Sequence, residues 1–300
     1  MCIIIGKYFD DIGWVGIKNR DRNYIPEISF KKKQSDDLEI LYFWDDITEY
    51  CEGMNSSGIG ILSASLMVQD DEKEIEKRGP KHSLDGAKIR KALTFNSVIA
   101  AAKSLIEQQL TGNTLIFDQN TMFLLEASWR PNSSKTRKNY IHIIKKIPKD
   151  QIVTRTNHGI WLDWAGYQRK EDDPQQSQSR ISSESRKMIA DYVSKSASDP
   201  EDIIDGLTQN FIGHGQLNAL RTSHENKKMR TTAQLMIIPR ERTLYVRPVQ
   251  SHISFDFWEL NKPKQQTWVE ILSNRVLYMN LNNVDQDHRP PFDHNLNHKL

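Results

Sequence analysis

Cys2 lies directly after Met1, and removal of that methionine, favoured when the next side chain is small, would leave a thiol and a free α-amino group on one residue. An α-amine titrates near 7.7 to 8.0 and a cysteine thiol near about 8.5, so proton exchange between them is cheap at neutral pH. Such a terminus is a nucleophile with its own base, suited to acyl transfer without a histidine partner. A small buried hydrophobe is the simpler reading of a cysteine met alone.

Further residues support the chemical reading. Lys18-Asn19-Arg20-Asp21 ends the second expected strand, where a hairpin would bring a cation, Lys18 or Arg20, and the Asp21 carboxylate beside the thiol. The cation favours thiolate and Asp21 suits the new ammonium; a solvated charge cluster is the plainer alternative. Thr154 to Gly159 follows a strand and places Asn157 at its tip, as an oxyanion donor or an ordinary turn residue. The amine mechanism needs no other base, so His158 is structural or substrate-facing. Trp14, Tyr24, Met67 and Trp161 are candidates for an apolar acyl pocket, each equally at home in a core.

These residues need a scaffold. Of 300 residues, 37% are hydrophobic and 9% aromatic, enough for a substantial core. The balanced net charge of +2 gives no reason to expect nucleic acid or an anionic membrane as partner; a small-molecule amide is expected, and a homo-oligomer is open. Two cysteines make no disulfide framework, and no targeting or membrane-length segment is seen, so a cytoplasmic location is expected. His288, His294 and His298 match no zinc spacing, and neither metal nor cofactor is expected.

Cys2 to Lys7 and Trp14 to Asn19 read as a hairpin, and Ile59 to Val68 as a buried strand after the Gly53 to Gly58 turn. The spacing predicts one long helix over 85–110, then a meander over Thr114 to Phe117, Thr121 to Ala127 and Tyr140 to Lys145. Residues 170–185 look loop-like before a helix over 185–197, with strands again at Thr232 to Pro239 and Thr243 to Pro248. That order predicts one α+β domain over 1–300, with 287–300 a surface tail.

Taken together, MC at the start, NRD at 19–21, GMNSSGIG at 53–60 and TNHG at 156–159 resemble the choloylglycine hydrolase and penicillin V acylase family and its isopenicillin N acyltransferase-like relatives. The resemblance implies an N-terminal-nucleophile (Ntn) hydrolase fold, an αββα four-layer sandwich with two stacked, mostly antiparallel sheets, cleaving linear amides through an acyl-enzyme thioester. It implies Cys2 as nucleophile, Asp21 at its ammonium, Asn157 in the oxyanion hole and Arg186 as the late arginine. The family's usual arginine before the asparagine is here Lys18, and its second oxyanion position falls on Ser65. TNHG is closer to the acyltransferase-like branch, so acyl transfer is an alternative. MCII with NRD also resembles the transport-and-Golgi-organisation family, whose fourth residue is acidic where this chain has Arg22; that likeness implies a binding or lipid-handling alternative.

Overall fold

The computed structural model describes residues 2–35, 37–66, 84–131, 138–209, 211–212, 215–221 and 229–249, with the backbone of 252–255, 268–272 and 275–279. In chain order the strands are β1 (Cys2–Phe9), β2 (Gly13–Arg22), β3 (Glu27–Ser35), β4 (Leu38–Asp45), β5 (Cys51–Asn55) and β6 (Gly60–Ala64). Helices α1 (Leu84–Ala92) and α2 (Val98–Glu107) precede β7 (Gly112–Phe117), β8 (Met122–Pro131), β9 (Lys138–Lys146) and β10 (Val153–Arg155). Helices α3 (Pro174–Ser196) and α4 (Pro200–Thr208) lead into β11 (Arg230–Ile238), β12 (Thr243–Pro248), β13 (His252–Phe255), β14 (Trp268–Leu272) and β15 (Arg275–Met279).

These strands form two sheets, ordered β10-β1-β2-β11-β12-β14-β15 and β13-β3-β4-β5-β6-β7-β8-β9. Every pairing is antiparallel except β13 with β3. Alternation along β1 explains the layering: Ile4 joins Trp14, Phe30, Leu115 and Leu235 in a core between the sheets, while Ile3 and Ile5 pack with Ile189, Val193 and Leu207 of α3 and α4. On the far side, Ile61, Ile116 and Leu125 meet Ile89 of α1 and Leu105 of α2. Each sheet is thus covered on both faces, and the layers run αββα as the resemblance implies. No helix among the described residues is long and apolar enough to cross a membrane.

The hairpin, the meander and the two late strands form where the sequence places them; two helical expectations do not hold. The helix expected over 85–110 is two, because Asn55 Nδ2 takes the Leu93 and Phe95 carbonyls (2.8 and 2.7 Å) and Ser97 caps the second by accepting from Ala100 N. The stretch read as a loop over 170–185 is helical from Pro174, capped by Asp173 accepting from Gln176 N at 2.9 Å. Its buried face carries Ser182, Ser183 and Arg186 where apolar residues would announce a helix. The strand expected over 59–68 is confined to Gly60–Ala64, and the β3–β4 hairpin was not anticipated. Met67 and the 287–300 tail lie outside the described residues.

Candidate active site

Cys2 opens β1 opposite Arg20 of β2, so Lys18, Arg20 and Arg22 share one face of β2 and point towards the second sheet. Lys18 Nζ reaches Glu52 Oε1 of β5 at 2.5 Å and the Ser63 carbonyl of β6 at 2.6 Å. Arg20 binds Asp45 of β4 and lies over the Phe43 ring. Arg22 stands beside the thiol, Nη1 to Sγ 3.7 Å, with Nε 3.8 Å from Asp45 Oδ2. The cation in contact with sulfur is therefore Arg22, and not Lys18 or Arg20. Arg20 is directed away because Asp45 claims it.

The two cysteines differ electrically. Burial alone pushes the Cys2 thiol up, but Lys18, the N-terminal ammonium and Arg22 outweigh it against the opposing Asp21, and the pKa falls to about 6. Burial dominates for Cys51, whose thiol is pushed up to about 12 and donates to the Gly86 carbonyl at 3.1 Å. One site stores thiolate at neutral pH and the other stores thiol.

Asn157 meets Cys2 from the end of β10. The Cys2 N–H donates to Asn157 Oδ1 at 2.6 Å, and Asn157 Nδ2 donates to the Ser65 carbonyl at 2.7 Å. Both partners are backbone groups of fixed polarity, so the orientation of the amide follows without ambiguity. The loop behind it is pinned from three directions: Asn157 N donates to Ser183 Oγ of α3 (3.1 Å), Asn113 Nδ2 donates to the Thr156 carbonyl (2.9 Å), and Glu126 Oε1 accepts the N–H groups of Ile160, Trp161 and Leu162 (2.9, 2.9 and 2.7 Å). Gly166, at φ +74°, passes so near that a Cβ would lie 2.4 Å from the Asn157 carbonyl oxygen. His158 is buried, with Nδ1 3.0 Å from Thr156 Oγ1 and 2.8 Å from Ser183 Oγ, and burial lowers its pKa to about 4. It serves this loop and lies off the cavity wall.

Asp21 occupies the opposite face of β2 from the cation ladder. Its carboxylate meets Arg186 Nη2 of α3 at 2.6 Å, Thr231 Oγ1 at 2.9 Å and Arg221 Nη1 at 3.6 Å, all fully buried. Arg221 was missed by sequence reading, since it lies outside any regular element and no motif marks it. Burial and then the Arg186 charge lower its pKa to about 9. Beside this group the β2–β11 register shifts between Thr231 and Ala233, a bulge whose Thr232 Oγ1 donates to the Arg20 carbonyl (3.0 Å).

A cavity of about 260 Å³ opens beside the thiol, its wall including Lys18, Arg22, Tyr24, Tyr50, Ser65 and Asp85. Tyr24 is fixed there by donating to Asp45 Oδ2 at 2.7 Å. Trp14 is not in this wall. It pairs with Tyr8, six residues from Cys2 along β1, or roughly 20 Å. Trp161 packs against the inter-sheet core beneath Lys145 and Arg155. Thr48, Tyr50 and Ser63 line the cavity without having been singled out.

No family model matches the chain, and no curated protein matches it. Penicillin V acylase from Agrobacterium tumefaciens superposes at 11% identity and a TM-score of 0.47, covering 95% of this chain and 87% of that one. A cysteine-to-alanine mutant of conjugated bile acid hydrolase from Clostridium perfringens does so at 13% identity and 0.46, over 93% and 96%. An arginine-to-leucine variant of the same hydrolase gives 14% and 0.45, over 96% and 95%. Both enzymes are of the kinds that the motifs resemble. The functional reading rests on the geometry around Cys2.

Proposed function

We propose that the protein is a hydrolase of linear amides, with Cys2 as its nucleophile once Met1 is removed. One observation carries the reading: the Cys2 sulfur stands against the Arg22 guanidinium at the wall of a cavity while its nitrogen is held by Asn157 Oδ1. Arg22 and Lys18 keep the sulfur as thiolate. Asn157 Oδ1 fixes the amine freed by processing, with Asp21 supplying the nearby negative charge.

In the reaction the sulfur bonds to the substrate carbonyl carbon and the C–N bond breaks, its electron pair passing to nitrogen. That nitrogen takes a proton from the α-ammonium and leaves as amine. Asn157 Nδ2, with one proton on Ser65, carries a second for the developing oxyanion; such a donor contributes about 3 to 4 kcal/mol when preorganised. Water, activated by the now neutral amine, resolves the thioester. Capture by an amine instead makes the same enzyme an acyltransferase, which product analysis tells apart.

Intact mass together with turnover of chromogenic anilides tests the proposal. Loss of Met1, hydrolysis by the processed protein and none by Cys2→Ser at unchanged thermal stability are expected. Turnover by Cys2→Ser, or by protein retaining Met1, overturns it.

A further inference from the structure

We infer that the acyl half of the substrate is short and hydrophilic, carrying a hydroxyl or carboxylate within a few bonds of the scissile carbonyl. The inference rests on the amide-hydrolase reading of Cys2 and narrows it. Size is the first argument. At about 260 Å³, and on the order of 30 Å³ for each water-sized group, the cavity holds at most about nine non-hydrogen atoms. Drug-sized ligands occupy roughly 300 to 1,000 Å³.

Polarity is the second. Apart from Cys2 the wall is made of Lys18, Arg22, Asp85, two tyrosines, Thr48 and two serines, so among the described residues no aliphatic side chain faces the ligand. The Thr48 hydroxyl is buried and has no hydrogen-bond partner among them. A hydrocarbon chain entering here displaces water from Arg22, Thr48 and Asp85 and returns nothing to them. An oxygen-bearing acyl group replaces those bonds.

Charge is the third. Lys18, Arg20 and Arg22 stand against two carboxylates, Glu52 and Asp45, leaving one positive charge that the thiolate balances. When the thiolate becomes a neutral thioester that charge is released, and an acyl oxygen close to the carbonyl can take it up. The apolar acyl group expected from the aromatic residues has lost Trp14 and Trp161, which lie elsewhere.

The test keeps one chromogenic amine and varies the acyl half: hydroxyacetyl and succinyl against phenoxyacetyl and octanoyl. The polar pair is expected to exceed the apolar pair about 10-fold or more in kcat/KM, with Thr48→Val narrowing the ratio several-fold. An apolar acyl group preferred, or parity, overturns the inference. Alkylation separates this from failure of the reaction itself. Cys2 should react with iodoacetamide and iodoacetate about 10-fold or more faster than with 2-iodo-N-octylacetamide, each rate taken relative to free cysteine. If no amide is cleaved but this order holds, the hydrolase reading falls and the pocket chemistry stands; octyl preference or parity sinks the pocket chemistry whatever is cleaved.

Discussion

The backbone N–H of Cys2 donates to Oδ1 of Asn157 at 2.6 Å across 155 residues of sequence, while the other end of the same amide donates to the Ser65 carbonyl. One side chain therefore ties the start of β1 to the end of β6 and to the loop after β10. Asn157→Ala removes an acceptor and a donor together. It is expected to lower kcat by roughly 10² to 10³ and to destabilise the fold by about 1 to 3 kcal/mol, read by steady-state kinetics and urea unfolding. Full activity in the variant removes Asn157 from the reaction.

The contrast between the cysteines is directly measurable. Alkylation of Cys2, followed by peptide mass against pH, should rise with a midpoint near 6, and Cys51 should stay unmodified in the native protein across the neutral range. Arg22→Gln should move the midpoint upward, because a charge 3.7 Å from sulfur is lost. An unshifted midpoint means Arg22 does not set the thiolate.

His158 links pH to stability. Its folded pKa, about 4, lies below the unfolded value of about 6.5, so the neutral ring is the native form. The contribution is present above pH 6.5, declines as pH falls and is spent once pH passes below about 4. At full extent it is roughly 2 to 4 kcal/mol. His158→Gln should therefore lose less stability than wild type between pH 7 and 4 in chemical denaturation; parallel curves would refute the assignment.

Glu126 holds the loop that carries Asn157 by accepting three successive N–H groups on one oxygen. Glu126→Ala leaves them without a buried acceptor and strands Arg155, whose Nε lies 3.8 Å from the carboxylate. A loss of about 3 to 5 kcal/mol is expected in equilibrium unfolding, with Glu126→Gln milder because its amide oxygen can still accept. A loss near zero would show that the loop holds without it.

Much of this was legible in the residues. The β-branched run at Ile3 to Ile5, the turn residues between the first strands and the meander after residue 112 are local signals, and each produced the element read from it. Helix α3 was hidden because the face it buries is polar, with Ser183 and Arg186 serving Asn157 and Asp21 where leucines would serve a core. The cation at the thiol was misplaced for a related reason. Lys18, Arg20 and Arg22 are equivalent in strand periodicity, and only Glu52 and Asp45, contributed by the other sheet, decide which is left for sulfur. Arg221 needed the same long-range information.

Because Lys18 and Arg20 reach from one sheet to carboxylates on the other, the sandwich is riveted through its reactive centre. Any slip of one sheet over its neighbour redistributes the charge that the sulfur feels. Nucleophilicity in this protein is accordingly a readout of how the two halves are aligned, and loosening that alignment disarms the thiol before the chain unravels.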